Sequence, residues 1–195
     1  APRTLSLRRD TPRHRLVQDR LAVTNGNSTK NAFPIPKFIQ GLKKKGYRVS
    51  LWQLPYVAEN AEQIDEARKN DYIAPLTKKQ DSEGSNFSAL DYAGTIDFTY
   101  PKATEWYKGL LKNLLDMGVT CIKTDFGENI HMDALYKGMK PELLNNLYAL
   151  LYQKAAYEIT KDVTGDGIVW ARSAWAGCQR YPLHWGGDSC SSWDG

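Results

Sequence analysis

Beginning near Phe33, segments of helical period alternate with short strand-like runs, and no other feature restricts the fold as strongly. A chain that runs strand, helix, strand builds a parallel sheet from βα units. Residues 36–45 set Phe38, Ile39 and Leu42 on one helical face and stop at Gly46, and Tyr47-Arg48-Val49-Ser50-Leu51-Trp52 is the strand they feed. A helical stretch over 61–70 follows, then a long surface loop over 77–93 rich in Asp, Ser, Lys and Gly, then a short extended piece over 94–99. Pro101 opens the next helix, where a missing N–H costs nothing, and Trp106, Leu110, Leu111, Leu114 and Leu115 recur along it at helical spacing. The arrangement repeats over 141–160, where Leu143, Leu144, Leu147, Leu151, Ala155 and Ile159 give one apolar stripe. Gly165-Asp166-Gly167 then turns the chain into the strand Ile168-Val169-Trp170-Ala171. The fold class is α/β, with about four βα units.

Two of these strand-like runs deliver a carboxylate. Val119-Thr120-Cys121-Ile122 is followed by Lys123-Thr124-Asp125-Phe126-Gly127-Glu128, and His184-Trp185-Gly186-Gly187-Asp188 carries the second acid behind a Gly-Gly pair. The change from a β-branched run to charged residues marks a buried strand ending at a rim. Trp185 offers an aromatic face of the kind on which sugar rings stack. A pair of Asp or Glu residues suffices for glycosidic hydrolysis, one protonated to release the leaving oxygen and one ionised to meet the oxocarbenium-like carbon.

Taken singly, these residues have blander readings. An Asp at a strand end is most often a turn or helix cap, Trp185 alone reads as core or rim, and Arg172 alone as a surface or salt-bridged residue. The motifs taken together and in order reverse this. KTDFGE at 123–128, ARSAWAG at 171–177 and HWGGD at 184–188 resemble the catalytic half of glycoside hydrolase family 31, the α-glucosidases and α-xylosidases, from about Phe33-Pro34 to the C-terminus. The resemblance implies that residues 31–195 form part of a (β/α)8 TIM barrel including the nucleophile and acid/base strands. It implies a retaining α-glycoside hydrolase acting on α-glucosides or α-xylosides of oligosaccharides, with Asp125 as nucleophile and Asp188 as general acid/base. Lys123, Arg172 and Trp185 match residues lining the sugar subsite, and Trp52 and Phe126 match its walls. Arg172 would hold sugar hydroxyls and set a positive charge beside Asp125, and Lys123, two residues away on the same strand face, would do likewise. Glu128 would orient Asp125 or its neighbouring loops. The partner implied is a carbohydrate, with no metal or organic cofactor, and oligomerisation is left open.

The chain departs from the family pattern in three places. The upstream carboxylate that grips a terminal hydroxyl has no counterpart, nor does the downstream His-Asp pair. Ser85-Asn86-Phe87-Ser88-Ala89-Leu90 stands where some relatives are Trp-rich. Sugar and linkage are therefore open. With 195 residues against the roughly 250 of a complete barrel, the chain reads as a fragment, and the alternative function is an inactive or sugar-binding remnant of such an enzyme.

The net charge of +4 is concentrated at the start, where Arg3, Arg8, Arg9, Arg13, Arg15, Arg20 and Lys30 face only Asp10 and Asp19. Residues 1–30 match neither the βα pattern nor the family and read as a basic segment without an element. It lacks the interleaved aromatics of a nucleic-acid binder and the amphipathic period of a membrane-surface helix, so neither partner is expected. No apolar run reaches the roughly 18 residues of a membrane span, and no signal-peptide core is visible. Cys121, Cys178 and Cys190 are odd in number and widely spaced, which suggests neither a zinc site nor a disulfide framework and fits a reducing compartment such as the cytoplasm. His131 and Asp133 lack a third ligand and read as part of a solvated loop. Ser173 has no Gly-x-Ser-x-Gly setting.

Overall fold

The computed structural model of the chain describes residues 3–6, 35–59, 61–75 and 92–188. Three strands run parallel in the order β1 (Arg3–Ser6), β2 (Tyr47–Gln53), β5 (Cys121–Thr124). The sheet continues past β5 through single bridges, Ile122 with Val169 and Ala171 with His184, both parallel. Trp170 N donates to Ile122 O and Arg172 N to Thr124 O, and Trp185 N donates to Ala171 O, so the later segments keep the register. Every strand end along this arc therefore points to one rim.

β1 was not expected: it lies within the basic segment that shows no strand pattern. Its four residues, Arg-Thr-Leu-Ser, have no readable period, and what makes them a strand is the free edge of β2, which pairs Leu5 with Val49. Between β2 and the next long helix the chain makes an excursion that is not part of the arc. β3 (Tyr56–Ala58) pairs antiparallel with β4 (Tyr92–Thr95). Tyr92 and Ala93 are thus strand, not the end of a surface loop; the rest of that loop reading, and the Ser85–Leu90 stretch, lie outside the described residues. The short helix α2 (Ile64–Lys69) lies between these two strands in the chain and buries Ile64 and Ala67 in the core.

Three further helices cover the outer face. α1 (Ile35–Lys44) buries Ile39 and feeds β2. α3 (Pro101–Asp116) begins with proline in its first turn and buries Ala103, Tyr107, Leu111, Leu114 and Leu115. α4 (Pro141–Thr164) closes at Gly165, whose φ of 76° is the left-handed cap that glycine adopts without strain. The α4 face differs from the leucine stripe. Leu143 is exposed, and the buried face carries Leu144, Tyr148, Tyr152, Gln153, Ala155, Ala156 and Thr160. The tyrosines belong there because their hydroxyls find buried acceptors: Tyr148 donates to Ile96 O at 2.8 Å. Their rings meet Phe98, with centroids 5.4 Å from Tyr148 and 5.6 Å from Tyr152. Fully buried side chains such as Leu111 and Leu144 each contribute about 1.5–3 kcal/mol of apolar burial. Among the described residues, no helix is long and apolar enough to cross a membrane.

Candidate active site

The parallel register sets Trp52 beside Lys123 and Gln53 beside Thr124, and Asp125 N donates to Gln53 O at 2.8 Å. The residue just past β5 is thereby fixed to the end of β2. The Asp125 carboxylate is held at both oxygens. Oδ2 accepts the Trp52 indole N–H at 2.5 Å, and Oδ1 accepts Phe126 N at 2.9 Å. Arg172 Nε lies 3.2 Å from Oδ1, near enough for an ion pair but out of line for an N–H bond. Bonds of this charged kind each contribute about 1.5–3 kcal/mol.

Behind the carboxylate the backbone takes a constrained path, with Phe126 at φ 57°. A non-glycine residue in that region persists only where its surroundings over-determine it. Here Ser173 Oγ donates to Phe126 O at 2.8 Å, Tyr152 OH reaches Asp125 O at 3.4 Å, and Tyr56 OH donates to Asn129 O and accepts from Gly127 N. Gln153 Nε2 in turn donates to Ser173 O. The Asp125 position is thus braced from β3, from α4 and from the strand segment at 171.

Arg172 connects the two acids. Its N–H anchors it to the end of β5, and its guanidinium lies over the Phe126 ring, 4.0 Å from the centroid. Nη2 meets Glu128 Oε1 at 2.7 Å and Nη1 meets Asp188 Oδ2 at 3.4 Å. The Arg172 side chain is 17% exposed and that of Asp188 83% exposed, so the arginine is the fixed partner and the second acid stands at the open mouth.

The structure therefore brings Asp125, Asp188, Arg172, Trp52 and Phe126 into one network. Two of the expected contacts differ. Trp52 is not merely a wall, since it donates its indole N–H to the carboxylate. Lys123, expected to lend charge to Asp125, instead sets its ammonium over the rings of Trp185 and Trp170, at 4.2 Å and 5.1 Å from their centroids. Cation–π contact of this kind is favourable where water is partly excluded, and it orders Trp185 at the rim. Tyr56, Tyr152 and Gln153 were not singled out by sequence reasoning, and Ser173 entered it only as a rejected nucleophile. Nothing local marks these residues, because their contacts span 20 to 73 residues of chain.

His131 is not on a solvated loop. It is buried, its Nδ1 lies 2.8 Å from Thr95 Oγ1, and burial pushes its pKa below the ordinary value. It braces β4 against the segment after Glu128. Among the described residues, no group of three or more His, Cys, Asp or Glu side chains is placed to hold a metal ion.

The chain that carries these two carboxylates is similar to known proteins in sequence and in fold. The description "Glycosyl hydrolases family 31 TIM-barrel domain" matches residues 15–195. The chain belongs to glycoside hydrolase family 31. It is 36% identical over 163 residues to an alpha-xylosidase of Emericella nidulans, covering 80% of this chain and 20% of the relative. It is 34% identical over 149 residues to the alpha-xylosidase XylQ of Lactiplantibacillus pentosus, covering 74% of this chain and 19% of the relative. Among solved structures, a family 31 sulfoquinovosidase from E. rectale, in complex with an aza-sugar inhibitor, superposes with a TM-score of 0.69 at 32% identity, covering 80% of this chain and 24% of that one. The chain spans about a fifth of the length of the two curated relatives, and its parallel arc is a portion of the family's (β/α)8 barrel.

Proposed function

We propose that this family 31 chain carries the reacting groups of a retaining α-glycosidase, with Asp125 as nucleophile and Asp188 as general acid/base. The observation that carries the reading is the contact of both carboxylates with the single guanidinium of Arg172, which makes them parts of one site. In the first half-reaction an Asp125 oxygen bonds to the anomeric carbon as the glycosidic C–O bond breaks, and the proton on Asp188 passes to the departing oxygen. In the second, water attacks the anomeric carbon, Asp188 takes its proton, and the ester bond to Asp125 breaks.

The chain's residues supply position rather than further chemistry. Trp52 and Phe126 N hold the two Asp125 oxygens, so the attacking lone pair keeps its direction. Trp185, ordered by Lys123, offers a ring face to the sugar, and Phe126 closes the floor beneath Arg172. The substrates proposed are α-glucosides or α-xylosides of oligosaccharides, and the two relatives named alpha-xylosidase support this class. The same reading takes residues 31–195 as about four βα units of the barrel, including the strands of Asp125 and Asp188, with β1 added from the basic segment.

The test is activity of the intact protein on 4-nitrophenyl α-glucoside and α-xyloside, with 5-fluoroglycosyl fluorides to trap the covalent intermediate. The D125A variant is expected to lose turnover and labelling together. Undiminished hydrolysis by D125A rules out the assignment, and absence of turnover and labelling across a panel of α-glycosides moves the weight to a sugar-binding remnant.

A further inference from the structure

Arg172 is one cation in contact with three carboxylates, and the mechanism uses only two of them. The third, Glu128, makes the shortest contact of the set, 2.7 Å from Oε1 to Nη2, against 3.2 Å for Asp125 and 3.4 Å for Asp188. Neither its burial nor its place in the fold requires this bond: Glu128 is half-exposed at its side chain, beyond the tight turn at Phe126-Gly127, where water would solvate it at little cost.

We infer that Glu128 is a positioning residue, which holds the Arg172 guanidinium in one orientation while charge moves from Asp125 to Asp188 and back. The inference rests on the glycosidase reading above. A planar guanidinium over an aromatic ring is free to turn within its plane, and the Phe126 ring at 4.0 Å fixes only the plane. The in-plane angle is set by its partners. During turnover two of those partners change. Asp125 is an anion before attack and a neutral ester afterwards, while Asp188 is neutral before proton donation and an anion afterwards. A cation held by these two alone would follow the charge, closing on Asp188 in the intermediate and withdrawing the base from the water it must activate. Glu128 takes no part in the bond making or the proton transfer. It occupies Nη2 in both half-reactions, leaving Nε beside Asp125 as an ion-pair contact and Nη1 toward Asp188. It is placed to do so because it lies three residues after Asp125, on the far side of the turn clamped by Ser173 and Tyr56.

The test compares E128Q and E128D with wild type in the intact protein, measuring kcat and KM on an aryl α-glycoside and thermal unfolding of each variant. For E128Q, kcat is expected to fall about ten- to hundredfold, the cost of a small displacement of a group that orients the reaction. KM should stay within about twofold, since no sugar contact is lost, and the unfolding temperature should hold. E128D keeps the charge at shorter reach and is expected between E128Q and wild type in kcat. Unchanged kcat in E128Q, or a raised KM with kcat retained, overturns the inference, the second by showing that Glu128 contacts sugar. If E128Q does not fold, E128D decides in the same terms: lowered kcat at constant KM supports the inference, and wild-type kcat overturns it. An inactive wild type overturns this inference and the proposed function together, whereas an active wild type with an unaffected E128Q overturns only this one.

Discussion

Replacing Gly127 by alanine isolates what the turn behind Asp125 costs. Gly127 sits at φ 89°, and an added Cβ would stand 2.9 Å from Tyr152 Cδ1 and 3.2 Å from Ser173 Oγ. The backbone alone costs an L-residue about 1–2 kcal/mol in this region. Tyr152 cannot easily yield, being fully buried and stacked on Phe98 at 5.6 Å, so the overlap adds roughly 1–3 kcal/mol of overpacking. The expected destabilisation is therefore about 2–5 kcal/mol. Gly165 provides the control, because at φ 76° with nothing within 4 Å of the added Cβ its alanine variant bears the backbone term only. Urea unfolding of the intact protein with G127A and G165A measures the difference, expected at about 1–3 kcal/mol. G127A should also lose turnover, since Asp125 is two residues away, while G165A keeps it. A difference below about 0.5 kcal/mol, a size usual for surface substitutions, would refute the argument by showing that Tyr152 and the turn adjust freely.

Three other outcomes are expected. Y148F removes the hydroxyl that donates to Ile96 O at 2.8 Å and leaves that carbonyl with Phe98 N alone at 3.2 Å, which costs about 0.5–1.5 kcal/mol in urea unfolding; a neutral change would contradict it. His131 is held below its ordinary pKa by burial, so the unfolded chain takes up the proton first as pH falls. Its contribution is fully present above about pH 6.5 and is lost as pH drops through that value toward the folded one. Unfolding midpoints at pH 7.5 and 5.5 should show a smaller acid loss in H131N than in wild type, and equal losses would count against this account. Glu158 of α4 and Lys108 of α3 pair at 2.8 Å. Although desolvation opposes it, the Lys108 contact leaves the Glu158 pKa lowered, so acidification should cost the pair its small stabilisation. K108M should flatten that loss, and an unaltered acid slope would show that the pair contributes nothing.

What the sequence disclosed were features encoded within a few residues. Helix starts at Pro101 and Pro141, the β2 strand and the three motifs were all visible, because local period and composition reflect which face is buried. What it did not disclose depended on partners far along the chain. β1 is a strand only because β2 has an edge beside it. Tyr148 and Tyr152 displace leucines from the buried face of α4 because backbone carbonyls from distant loops stand ready to accept their hydroxyls. The Asp125, Arg172 and Asp188 motifs were legible as chemistry, yet the division of labour between Lys123 and Arg172 was not. Both cations read in the sequence as lending charge to Asp125, and only the geometry shows that one stacks on tryptophans while the other spans the acids.

The brace around Asp125 has a kinetic consequence. Trp52 lies 73 residues from the carboxylate it contacts, and Tyr152 lies 27 residues away. Each such closure carries a loop-entropy cost before it returns any contact energy, and non-local pairings of this kind slow folding. The environment that orients Asp125 thus belongs to the final, long-range stage of assembly. A newly made chain can hold its helices for some time before it holds a competent carboxylate.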